Sequence, residues 1–175
     1  RGSEVIIADS NHIIAHEVGA SSVIAGVQLR TIDAPNGVLN PNEIEKRIRF
    51  EDDDIHFPST SLICVENAHS SGNVLSIENM KAVYDIAKKY NLPVHLDGAR
   101  LFNASTALNV DVKEITKYCD SVMFCLSKGL CSPVGSILAG SKDFVDKARK
   151  KRKLMGGGLR QAGFLAAAGI VSLEV

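Results

Sequence analysis

Pro93-Val94-His95-Leu96-Asp97-Gly98-Ala99-Arg100 and Ser121-Val122-Met123-Phe124-Cys125-Leu126-Ser127-Lys128-Gly129 are the two stretches whose reading decides the fold. Each is a short apolar run that ends on a charged residue next to glycine or serine. Short apolar runs bounded by turn residues read as buried strands. In open α/β sheets, ligands bind beyond the carboxyl ends of the strands. Asp97 and Lys128 are therefore expected at one edge of one sheet, a carboxylate and an amine delivered there by two strands.

Working outward, the same kind of run recurs at residues 4–8, 27–32 and 61–66, and again at 135–139. With 93–97 and 121–126, these strands are short and apolar on both faces, as in a sheet covered on both sides. Helical patterns fall between most of them. The clearest covers 77–90, where Ile77, Met80, Val83, Tyr84, Ala87 and Tyr90 form one stripe at helical spacing. Ser76 is its expected N-cap. A second helix starts at Asn40-Pro41-Asn42-Glu43, with Asn40 capping, Pro41 at the first helical position and Glu43 completing a capping box. Two more are expected at 142–155 and 159–173, divided by Gly156-Gly157-Gly158. This alternation predicts an α/β fold, a three-layer α/β/α arrangement around a mostly parallel sheet.

The chain has 175 residues, about one domain's length. Twenty basic and twenty acidic residues cancel, so no global field favours nucleic acid or an anionic membrane. The basic cluster from Lys147 to Lys153 reads as a solvated helix face, and Glu51-Asp52-Asp53-Asp54 as a solvated loop. Cys64, Cys119, Cys125 and Cys131 make no C-x-x-C pair, which gives a metal site little support. Three of the four lie in or beside apolar runs and read as small core residues. That usage, with no signal-like segment, fits a reducing, cytoplasmic setting. No apolar run approaches a membrane span.

A strand-borne amine and a strand-borne carboxylate suit pyridoxal 5'-phosphate (PLP): the amine bonds its aldehyde and the carboxylate pairs with its pyridinium nitrogen. On local pattern alone, Lys128 would be a surface lysine and Asp97 a turn-capping carboxylate. Longer segments tip the balance. His95-Leu96-Asp97-Gly98-Ala99-Arg100-Leu101-Phe102-Asn103-Ala104 resembles the pyridinium-binding segment of low-specificity L-threonine aldolases. Phe124-Cys125-Leu126-Ser127-Lys128-Gly129-Leu130, followed by Pro133-Val134-Gly135-Ser136, resembles their Schiff-base lysine segment. Gly156-Gly157-Gly158-Leu159-Arg160-Gln161-Ala162-Gly163 is similar to their glycine-rich turn. The resemblance runs from about residue 4 to residue 173, and several long motifs in order are far more specific than one short pattern.

The resemblance implies the aminotransferase-like fold (fold type I), PLP as cofactor, and retro-aldol cleavage of threonine or allo-threonine to glycine and acetaldehyde. It implies a PLP-binding large domain over residues 1–175, with a phosphate-loop segment expected before Arg1 and a small domain expected after Val175. It implies a tetramer whose active sites are shared between subunits. It makes Lys128 the Schiff-base lysine and Asp97 the pyridinium partner. Arg100 contacts the cofactor oxygen or the substrate carboxylate, for which a guanidinium is suited. His12 stacks on the cofactor ring, and His56 lies near the substrate hydroxyl. Either histidine, or a water it orients, serves as the base for the hydroxyl proton. Lys153 and Arg160 bind anionic groups of the substrate, across a subunit boundary. His69 is a weaker candidate; His16 and His95 read as structural. Two alternatives stay open: another fold type I reaction (β-elimination or transamination) on the same Asp97–Lys128 pair, and a non-catalytic piece of the aldolase fold.

Overall fold

The computed structural model describes residues 1–50 and 54–174. Six strands form one sheet: β1 (Glu4–Ala8), β2 (Gln28–Ile32), β3 (Thr60–Glu66), β4 (Val94–Asp97), β5 (Ser121–Cys125) and β6 (Ser136–Gly140). Their order is β2-β1-β3-β4-β5-β6. Neighbours from β2 through β5 pair in parallel, and β6 runs antiparallel to β5. All six expected strands are present, and helices flank the sheet to give the three-layer α/β/α architecture.

The helices are α1 (His12–Ala15), α2 (Pro41–Glu45), α3 (Ile77–Lys89), α4 (Leu101–Leu108), α5 (Val112–Thr116), α6 (Lys142–Leu154) and α7 (Gly163–Glu174). Period-2 alternation divides the strand side chains between two faces. Ile6, Ala8, Ile63, Val65, Val94, Leu96 and Val122 join the larger core, under Met80, Val83 and Ala87 of α3 and Ile115 of α5. Val5, Ile7 and Cys64 form a smaller cluster with Ile13 and Leu29. The expected burial on both faces holds for β1 but not for β6, where Ser136, Ile137, Leu138 and Gly140 are exposed.

Ser76 caps α3 as expected, its Oγ accepting from Asn79 N at 3.2 Å. Asn40 Oδ1 caps α2, accepting from Asn42 N at 2.9 Å. Glu43 does not complete the capping box: its carboxylate pairs instead with Lys46 and Arg47, at 2.7 and 2.6 Å. Two nearby cations on the same helix compete successfully for an acceptor that would otherwise turn back to a neutral N–H. Helix α7 starts at Gly163 rather than 159, because Gln161 takes a left-handed φ of 56° that no helix continues through. Only Cys64 of the cysteines is buried; Cys119 and Cys125 are half-buried and Cys131 is exposed. Of the acidic run at 51–54, residues 51–53 lie outside the described residues and Asp54 is exposed.

Two features fix the frame beneath the strand ends. Asp120 accepts from Val94 N at 2.7 Å and from Lys88 Nζ at 2.8 Å, which pins the entry of β4 to β5 and α3. At the amino end of β1, on the same edge of the sheet, fully buried Glu4 takes Thr60 Oγ1 at 2.9 Å, with Arg30 and Arg49 at 3.5 and 3.6 Å. Among the described residues, no helix is long and apolar enough to cross a membrane, and no cluster of His, Cys, Asp and Glu could hold a metal ion.

Candidate active site

The chain leaves β1 toward β2 on one side and later runs from β3 toward β6 on the other, so the strand order reverses between β1 and β3. A crevice opens at such a point, at the carboxyl ends of the strands. A cleft of about 450 Å³ lies along this edge, between the segment after β1 and the ends of β4 and β5, and its lining includes His12, Glu17, His95, Asp97, Cys125 and Lys128. The structure thus brings together three of the residues singled out in the sequence, delivered by β1, β4 and the turn after β5.

Asp97 ends β4 and is only 7% exposed. Its Oδ1 accepts from Ala99 N at 3.1 Å. Oδ2 takes no hydrogen bond among the described residues, which leaves a carboxylate oxygen for a donor placed in the cleft. Gly98 N–H donates to Met123 O at 2.8 Å and draws the turn after β4 against β5. Lys128 is exposed on a loop closed at its base by Leu126 N to Gly135 O at 2.9 Å and Ser132 N to Leu126 O at 3.0 Å. Ser132 is buried and meets Ser172 of α7 at 2.6 Å, which ties that loop to the last helix. The Lys128 ammonium makes no hydrogen bond or ion pair among the described residues.

His12 opens α1. Glu17 Oε1 lies 3.0 Å from its Nε2. A carboxylate only accepts, so it favours a proton on Nε2 and leaves Nδ1 as the acceptor of a neutral ring. His16 stacks beside it, ring centroids 4.8 Å apart. The backbone of His12 is held from far away in sequence: its N–H donates to Glu66 Oε2 at 2.7 Å. Glu66 Oε1 accepts from Ser70 N, also at 2.7 Å.

Other expected residues stand elsewhere. Arg100, exposed at the N-cap of α4, lines a neighbouring cleft with His69, Ser70 and Asn103. His56 sits on an exposed turn, its N–H and its Nδ1 on Asp54 Oδ1 at 2.8 and 2.6 Å. Those contacts, backbone first, hold the Asp54 carboxyl below its usual range. Lys153 and Arg160 are exposed at and after the end of α6 and are not part of the cleft wall. His69 is buried, Nε2 on the Ser10 carbonyl at 3.1 Å and Nδ1 on Ser71 Oγ at 2.8 Å, so it ties the loop after β1 to the loop after β3.

Three residues escaped the sequence reading. Glu66 acts through a long-range contact and Glu17 through one close along the chain, and no local motif announces either. His95, read as structural, shares a face of β4 with Asp97 and lines the cleft, its Nδ1 on Ser121 Oγ at 2.8 Å. The i, i+2 spacing of His95 and Asp97 on a strand was the available signal. Burial holds the His95 imidazole below its ordinary pKa, and the Asp97 charge acts the other way. Burial, aided by the same charge, pushes the Cys64 thiol up to about 12.

Known proteins resemble this chain in sequence and in fold. The Beta-eliminating lyase family matches residues 1–175. The chain is 49% identical over 177 aligned residues to the probable low-specificity L-threonine aldolase 2 of Arabidopsis thaliana, covering 99% of this chain and 50% of that protein. It is 45% identical to the low specificity L-threonine aldolase of Escherichia coli K12, over 99% of this chain and 52% of the relative. The chain therefore spans about half the length of the curated relatives it matches. In fold it is similar to the threonine aldolase of Leishmania major, with a TM-score of 0.84 at 23% identity over 99% of this chain and 51% of that one. A putative L-allo-threonine aldolase of Listeria monocytogenes gives 0.80 at 24% identity, over 94% of this chain and 44% of that one. Sequence, sheet order and strand-end cleft converge, and the chain belongs to the Beta-eliminating lyase family.

Proposed function

We propose that the protein is a PLP-dependent aldehyde-lyase that cleaves L-threonine and L-allo-threonine to glycine and acetaldehyde. The observation that carries this reading is the convergence of Asp97, Lys128 and His12 on one strand-end cleft. The donor set fits the cofactor: a buried carboxylate with an unused oxygen suits a pyridinium N–H, and an unpaired primary amine suits an aldehyde. Residues 1–175 are then the PLP-binding large domain. A cytoplasmic homotetramer with shared active sites completes the reading.

When bound, PLP supplies an electron sink for the pair released as the substrate Cα–Cβ bond breaks. Asp97 holds the proton on the ring nitrogen. Lys128 is the anchoring amine and, once displaced, a base close to Cα. His12 would face the cofactor ring and, with its proton on Nε2 beside Glu17, would offer Nδ1 as an acceptor for the substrate hydroxyl proton. His56 is the other candidate for that proton, directly or through water. Arg100, which makes no ion pair among the described residues, supplies a planar guanidinium for the substrate carboxylate. Lys153 and Arg160 contribute positive charge to the substrate's anionic groups, from a neighbouring subunit.

The test uses the full-length protein. PLP is added, the visible absorbance recorded, the bond reduced with borohydride and the labelled peptide mapped; acetaldehyde release from threonine is then assayed. A label on Lys128, lost with its band and its turnover in Lys128→Ala, is the expected result. Full turnover in Lys128→Ala refutes the scheme. The family's name makes β-elimination the natural second reading, and pyruvate with ammonia, rather than glycine with acetaldehyde, would identify it.

A further inference from the structure

We infer that Glu66 is a positioning residue for this reaction: its carboxylate, shared between two main-chain N–H groups, sets His12 over the cleft. The inference rests on the proposed role of His12.

Helix α1 has four residues and no buried side chain. So short a helix has no intrinsic stability and must be placed from outside. Its N-cap, Asn11, makes no side-chain capping bond, and buried Asn11 Oδ1 has no hydrogen-bond partner among the described residues. The acceptor for the first N–H of α1 comes instead from Glu66, 54 residues away. Glu66 ends β3, in register with Asp97 of β4. Registered residues of parallel strands share a face at a strand spacing of about 4.8 Å, so Glu66 and Asp97 leave the sheet on the same side at the carboxyl ends of their strands.

Glu66 is 3% exposed, and burying a carboxylate is costly unless both oxygens are satisfied. Each oxygen accepts one short main-chain bond, from His12 N and Ser70 N, at 2.7 Å. Charge-assisted bonds of this length are about twice as strong as neutral ones. The Ser70 arm anchors the same loop whose His69 grips the Ser10 carbonyl. The loops after β1 and β3 are thus clamped at two points, and the point nearest the chemistry is Glu66 to His12. Glu66 does not itself line the cleft, so it acts through His12 rather than on a ligand.

The test is a double-mutant cycle on the full-length, PLP-loaded protein. Glu66→Gln keeps the shape but turns an NH2 toward one of the two N–H donors. We expect kcat to fall about ten- to a hundredfold with KM within about threefold, and the visible circular-dichroism band of bound PLP to weaken. His12→Asn should lower kcat comparably, and the double variant should match His12→Asn within about twofold, because both changes remove one function. A double variant that loses the product of the two single effects overturns the inference while leaving the role of His12 intact. Wild-type turnover in His12→Asn, or no PLP band in the wild-type protein, overturns the underlying reading and the inference together. Should Glu66→Gln fail to fold, Glu66→Asp carries the same cycle. Amide exchange then supplies a second readout: faster exchange over residues 9–16, with strand peptides unchanged, supports the inference, and unchanged exchange refutes it.

Discussion

Replacing Gly98 with alanine tests whether the close approach of β4 and β5 sets the site. A Cβ built on Gly98 lies 2.8 Å from Met123 O, and 3.2 Å from both Leu101 Cβ and Val122 Cγ2. The nearest atom is a main-chain carbonyl of β5, the same one that accepts the Gly98 N–H at 2.8 Å, so no side-chain rotation relieves the clash. Overpacking of this kind costs about 1–3 kcal/mol. The lower unfolded-state entropy of alanine returns about 0.4–1 kcal/mol. The mid-range values leave a net loss of about 1.3 kcal/mol, or about 3–5 °C in melting temperature for a domain of this size. Relief requires the end of β4 to move from β5, which separates Asp97 from Lys128 and weakens PLP binding as well. Gly129→Ala is the control. Its Cβ meets Asn103 Oδ1, but that amide is exposed and can turn away, so the cost stays below about 0.5 kcal/mol. Melting followed by circular dichroism, with a PLP titration, decides the matter. An unshifted Gly98→Ala, or a Gly129→Ala that costs as much, would refute the reasoning.

The thiols should react in the order of their surroundings. Exposed Cys131 labels first with a maleimide near neutral pH, and Cys125 labels slowly and is protected by PLP, because it lines the cleft. Cys64, buried and pushed up to about 12, labels only on unfolding; mass-mapped label on Cys64 in the folded protein would contradict its placement. His95 should make stability depend on pH. Its folded pKa lies below the ordinary value, so the unfolded chain takes up the proton first. Its contribution is present above about pH 6.5 and is lost as pH falls through the folded value. Denaturation midpoints measured between about pH 7 and 5 should fall in the wild type and flatten in His95→Gln; equal slopes would refute the assignment.

Several elements were legible because their cause is local. Strand positions follow from short apolar runs, and α3 from a stripe whose Met80, Val83 and Ala87 are indeed buried. Ser76 caps that helix because its hydroxyl needs only an N–H three residues on. Errors arose where two local options compete. Glu43 could cap backward or pair forward, and nearby cations decided it. The start of α7 depended on the φ of Gln161, which its side chain does not dictate.

For the site, the sequence by itself determined that Asp97 and Lys128 each close a strand-like run and that His12 follows another. The strand pattern sends every parallel strand's carboxyl end to one edge, so those residues had to share it. Tertiary structure alone decided what surrounds them. It put Glu66 under the main chain of His12 and His95 in the cleft wall. It also turned Arg100 into the adjoining cleft and left His56 on an exposed turn with Asp54. The physical reason is one of range. Strand and helix propensity are settled by neighbours a few residues apart, whereas a buried carboxylate finds its donors wherever the packed backbone brings unsatisfied N–H groups, here 54 residues from Glu66 in one direction and four in the other.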